Sequence, residues 1–347
     1  MATSPAGRRR PPSPEFGASA PAPAVAAAPA PPPQRFESFR WHGKRRSDIL
    51  RSSPEVKQLF GRAPIATTGA TAVLVVLQLA AVAHGSTLRG TALVAHAWMI
   101  GATLANSSFL LVHEISHDLV FKAEWANRVL GMVAQLPLLA PMAESFRYYH
   151  AFHHKALGVE DTDPDIPTAW EEQLLQLPGA LGVGVRLVAL ALNMIPYLFR
   201  PILLHGPPPV SGFMLLNVAL QAAFDAAFLA ILGWPGVLYT FWAILFAGGL
   251  HPSAAHFISE HVAVDERMLS TGQATASSYN WLQALTQFNA GCHTEHHDLP
   301  CVPWTRLPLV RRYAPEHYNH LVSHRSATGV IVRFVLGNCR RVKTHAQ

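Results

Sequence analysis

The chain has 347 residues, 50% of them hydrophobic and only 14% charged, with a formal net charge of +6 and a mean hydropathy of +0.19. This is more apolar surface than one water-soluble core needs, which argues against a soluble globular protein and makes a membrane the expected solvent. The basic excess suits the cytosolic face of a membrane, since no nucleic-acid recognition motif accompanies it.

In chain order, residues 1–35 hold ten prolines, ten alanines and the basic cluster Arg8 to Arg10, with almost no bulky apolar side chain. That composition predicts a disordered leader. Its prolines oppose the amphipathic helix of a transit peptide, and no secretory signal precedes the first long apolar run, which is expected to act as an uncleaved anchor. A basic segment, 36–63, comes next. Runs with few or no charges then cover Ile65 to Ala83, Thr91 to Val112, Gly212 to Leu232 and Pro235 to Leu250, which predicts about four transmembrane helices. The stretch Leu177 to Leu204 is apolar but broken by Arg186, Pro196, Arg200 and Pro201, so it reads as an interfacial helix or a kinked buried one.

Arg40, Lys44, Arg45, Arg46, Arg51, Lys57 and Arg62 precede the first span, whereas the connection 84–90 holds only Arg89. The N-terminus is therefore expected in the cytosol. Cys292, Cys301 and Cys339 all fall on that side and are expected to be free thiols.

HEISHD at 113–118 fits the H-E-x-x-H of a zinc protease, with His113 and His117 on one helix face and Glu114 as general base. Two further clusters compete with that reading. HAFHH supplies His150, His153 and His154, and HTEHH supplies His293, His296 and His297. Offsets of three and four residues bring the imidazoles of each box onto one helix face, as a multidentate nitrogen site requires. Eight imidazoles exceed what one zinc needs, so two metals fit better, and ligand softness alone admits iron, copper or zinc. An even number of predicted crossings separates the boxes, which puts all three on one side provided 177–204 does not span; this favours the interfacial reading. In HPSAAHFISEH at 251–261, His261 is a candidate ninth ligand, His256 a weaker one, and His251 is read as an ordinary surface or satisfied histidine.

These boxes resemble those of the membrane fatty acid desaturases. HEISHDLVF, HAFHHKALGVEDTDPDIPT, HFISEH and FNAGCHTEHHDLPCVPWTRLPLVR are similar to the sphingolipid delta-4 branch of that family, and WHGKRRSDILRSSPEVKQLFG to its short N-terminal segment. The resemblance covers about residues 38–325. It implies an all-α integral membrane protein with interfacial helices and a cytosolic cap carrying the histidine boxes, in a membrane domain 64–325 followed by a basic tail 326–347 in the endoplasmic reticulum membrane. It also implies two irons, dioxygen as co-substrate, and electrons from NADH through a reductase and cytochrome b5, the last docking in trans because no H-P-G-G haem segment is present. The expected reaction is a trans double bond between carbons 4 and 5 of dihydroceramide, with carbon-4 hydroxylation as the rival. Outer partners of the imidazoles are expected among Glu114, Asp118, Asp163, Asp165, Glu260, Glu295, Asp298 and Asn289, with Asp118, Asn289 and Asp298 foremost. Cys292, before the third box, stands where the family pattern has a larger residue.

Overall fold

The computed structural model describes residues 37–263, 265–337 and 340–341. The expectation of a disordered leader lies outside these residues, as do positions 338–339 and 342–347 of the basic tail.

The described residues are mostly helical. Helix α1 (Glu37–Ser52) precedes α2 (Pro64–Gly85) and α3 (Gly90–Ser116), which are long and apolar enough to cross a membrane. They present Ile65, Val73, Val76, Met99 and Ile100 outward, where a lipid-facing surface needs apolar side chains. A π-turn at Ala97–Gly101 interrupts α3. Its last turn carries His113, and His117 caps it.

Helices α4 (Glu124–Gln135) and α5 (Ala143–Ala156) form a pair bent by 110°. Polar groups inside the bundle fasten the bend: Gln221 donates to the Leu136 carbonyl at 3.0 Å and Asn217 to that of Pro141 at 3.0 Å, while Gln135 donates to Asn217. In an apolar medium such groups have no water to fall back on, so their pairing holds α5, which bears the second box.

Helices α6 (Gly179–Ala191) and α7 (Met194–His205) turn through 81° between them, so the stretch read as interfacial is not one straight helix. Asn193 at the bend donates to the Gly248 carbonyl at 2.9 Å. Gly249 has no room for a side chain, because a Cβ there would lie 2.2 Å from the Leu190 carbonyl oxygen.

Helix α8 (Gly212–Ala247) is broken at Gly233, whose φ of 62° and ψ of −172° suit glycine. Phe228 on one side of the break packs in one cluster with Tyr239 and Ala243 on the other, so the chain reverses there into two limbs. These correspond to the third and fourth predicted runs. The second limb fits tightly against α2 and α3: a Cβ at Gly85 would stand 2.1 Å from the Tyr239 ring, and one at Gly101 would stand 2.8 Å from Ala243.

Beyond the bundle, Ile49, Val56 and Leu59 share a core with Leu299, Val302, Leu307, Val310 and Tyr318. The basic N-terminal segment and the chain after the third box thus form one layer over the histidines. Helix α9 (Ala327–Val335) packs Val330 and Phe334 on Leu190, Ala255 and Ile258, so part of the segment read as a tail is joined to the domain.

Candidate metal centre and lipid cavity

Nine histidines meet between α3, α5, the short helix His293–Asp298 and the segment ending at His261, and they divide into two sets. His113, His117, His150, His154 and His296 form one; His153, His261, His293 and His297 form the other, and within each set the candidate ligand atoms lie within 4.8 Å of one another. Each H-x-x-H-H box is split: on α5, His150 and His154 share a face one turn apart while His153 faces the second set.

His150 Nε2 lies 3.1 Å from His117 Nε2 and 3.0 Å from His154 Nε2, and His154 Nε2 lies 3.3 Å from His296 Nε2. In the second set His261 and His293 approach at 3.1 Å, and His153 and His297 at 3.3 Å. An imidazole Nε2 carries either one proton or one lone pair, so at most two of the three contacts in this chain of four nitrogens can be hydrogen bonds. A cation accounts for all three. Two ligands held about 2.1 Å from one ion stand about 3.0–3.4 Å apart at octahedral to tetrahedral angles, which is the spacing found here. Burial lowers the pKa of His261, His293 and His297 and pushes that of His296 down to about 3, keeping them neutral and competent as ligands. The donor set therefore fits two nitrogen-ligated metal ions.

The carboxylates that reach the imidazoles are Asp163, 2.8 Å from His153 Nδ1; Asp165, 3.5 Å from His150 Nδ1; and Glu260, 3.5 Å from His293 Nδ1. The three residues expected foremost lie elsewhere. Asp118, at φ 60°, pairs with Arg147; Asn289 donates to the Trp304 carbonyl at 2.9 Å; Asp298 accepts from His42 at 2.7 Å and from Arg45 at 2.9 Å. Asp118 and Asn289 lie in turns outside the helices, both at positive φ. For Asp298, inside the helix His293–Asp298, the reason is helical geometry, since a residue beside a ligand is turned about 100° from it. Glu295 is likewise turned away, accepting from Ser277 and Tyr279 at 2.6 Å. His256 stays outside both sets, with Nε2 3.1 Å from the Asn106 amide, and His251 bonds the Ser253 hydroxyl at 2.7 Å. Cys292 is buried in the core beneath α1, and both described cysteines are free.

The same geometry removes the protease reading. Glu114 is buried and accepts the Trp304 backbone N–H at 3.1 Å, with no water-facing carboxylate to act as base. Glu114→Gln, whose amide oxygen can still accept that bond, is expected to change metal content and activity by less than about threefold. Metal analysis and turnover of the purified variant check this, and loss of a peptide-cleaving activity would reverse it.

Among the described residues, cavities adjoin the centre. One of about 380 Å³, lined by His117, His150, His154 and His297, opens past Arg46, Arg147 and Lys155. A small chamber of about 40 Å³ touches His113, His153, His261 and His293. An apolar cavity of about 630 Å³ lies among α6, α7 and α9, walled by residues such as Leu174, Leu190, Phe199, Leu203 and Phe334. The family model for fatty acid desaturases matches residues 89–327. The chain belongs to the fatty acid desaturase family. This desaturase is 38% identical over 297 residues to the sphingolipid delta(4)-desaturase DES1 of Drosophila melanogaster, covering 85% of this chain and 88% of that protein. It is 36% identical to a DES1-like sphingolipid delta(4)-desaturase of Oryza sativa, over 85% of this chain and 86% of that one. It is also 37% identical to the human sphingolipid delta(4)-desaturase/C4-monooxygenase DES2, over 87% and 91%.

His42 and Tyr197 carry no signal in the sequence, because each is alone at its place in the chain, without a partner at ligand spacing, and acquires neighbours only on folding.

Proposed function

We propose that this desaturase is a diiron sphingolipid delta-4 desaturase that removes hydrogens from carbons 4 and 5 of the dihydroceramide sphingoid base, leaving the trans double bond of ceramide. The observation that carries the reading is the division of nine histidines into two sets beside an apolar cavity. The two sets would hold one iron each. When bound, the iron pair supplies the dioxygen activation that breaking an unactivated C–H bond demands. Asp163, Asp165 and Glu260 orient His153, His150 and His293, while Asp118, Asn289 and Asp298 brace the segments that carry the ligands. The cavity takes a flexible chain out of water and limits its register relative to the chamber. The basic opening at Arg46, Arg147 and Lys155 suits an acidic electron donor, cytochrome b5, reduced from NADH by its reductase. With four crossings, two of them the limbs of α8, both termini and the histidines face the cytosol from the endoplasmic reticulum membrane.

The second reading is hydroxylation at carbon 4, alone or beside desaturation, and the two activities in the name of the human relative favour keeping it. Lipid profiling of desaturase-deficient cells expressing the chain separates the two. Ceramide with a 4,5-trans double bond is the expected product; phytoceramide without any unsaturated ceramide would sink the leading reading.

A further inference from the structure

The histidine chamber and the apolar cavity share three lining residues, Asp165, Tyr197 and Phe257, and this common boundary is the neck. Two of these three are polar, at the inner end of a cavity walled mainly by apolar side chains. Asp165 sits at the seam of the two histidine sets, its carboxylate 3.5 Å from His150 Nδ1 and 3.6 Å from His153 Nδ1. Tyr197 is held edge-on by Phe257, ring centroids 5.0 Å apart, and by Phe109 at 5.8 Å, and it lines both cavities together with Asp165. For packing alone a phenylalanine would serve at 197. The loop bearing the carboxylate is fixed in turn, because Arg200 donates to the Pro164 carbonyl at 3.3 Å and the Asp165 N–H donates to Asp163 at 2.9 Å. A few fixed polar groups in an apolar passage orient a ligand and set its specificity.

On the delta-4 reading, on which this inference rests, the substrate carries a hydroxyl on carbon 3, one bond from the reacting pair. A lipid whose carbons 4 and 5 face the chamber therefore brings that hydroxyl to the neck. We infer that Asp165 and Tyr197 bind the carbon-3 hydroxyl, the lipid O–H donating to the carboxylate and the tyrosine O–H donating to the lipid oxygen, and that this pair selects sphingoid bases and fixes the 4,5 register. A plain acyl chain in the same passage leaves the two groups without a polar partner, and a site built to bond a hydroxyl rejects the analogue that lacks it by far more than a missing methylene would cost.

The test compares membranes containing the full-length wild type and Tyr197→Phe on dihydroceramide and on its 3-deoxy analogue, with iron per chain measured on both proteins. The wild type is expected to favour the hydroxylated lipid by about 100-fold or more. Tyr197→Phe is expected to lower kcat/KM for dihydroceramide by roughly 10- to 100-fold and for the 3-deoxy lipid by less than about threefold, at unchanged iron content. Equal loss on both lipids, or loss on neither, overturns this inference alone. A wild type that leaves dihydroceramide untouched overturns the delta-4 reading and the inference together.

Discussion

Replacing His261 by alanine is expected to lower iron from about two to about one per chain and to take ceramide formation below detection. His261 belongs to no box, yet its Nε2 stands 3.1 Å from His293 Nε2 and its ring 4.6 Å from that of His153. It is one of four imidazoles in its set, so its loss leaves three. The other set has five, and His154→Ala leaves four, enough to retain a metal at reduced affinity. The two substitutions should therefore differ: both fall in activity, but His261→Ala loses the larger share of metal. Removing an outer partner of a ligand already costs roughly 10- to 100-fold, and removing a ligand should cost more. Iron analysis of the purified protein with product formation on the same preparation checks the expectation. A His261→Ala protein with full iron and full turnover would return this histidine to the ordinary buried ones.

What the chain showed before folding follows from how each kind of information is written. Ligand spacing is local, so His150, His153 and His154 were recognisable as a cluster from offsets of three and four. The division of that cluster between two metal sets was not, because it depends on which side of α5 each neighbouring segment occupies. Apolar runs are local too, and the limits near Leu232 and Pro235 anticipated the reversal at Gly233. Outer partners are the opposite case. Glu295 and Asp298 adjoin histidines on one short helix and for that reason point away from them, whereas Asp163 reaches His153 from a loop ten residues on. His42 shows the same limit over a longer range: 256 positions separate it from Asp298, and nothing nearby marks the pairing.

Asp163 yields the second large effect. One oxygen accepts from His153 Nδ1 at 2.8 Å and from the Asp165 N–H at 2.9 Å, and the other accepts the Gly158 N–H at 2.8 Å. A single buried carboxylate thus fixes which nitrogen of His153 faces the metal and holds the loop that carries Asp165 to the neck. Asp163→Asn keeps the volume but replaces one acceptor by a donor, which must face either an imidazole N–H or a backbone N–H. Metal affinity is expected to fall by roughly 10- to 100-fold, with activity falling alongside. Because the imidazole remains, added iron should restore part of that activity, which distinguishes a misoriented ligand from a missing one. Asp118→Asn is the matched comparison: its carboxylate meets Arg147 and no imidazole, so iron affinity should stay within about threefold of wild type. If iron titration gave Asp163→Asn the wild-type affinity, the loop carboxylate would have no part in orienting His153, and the orientation would have to come from the packing of α5 alone.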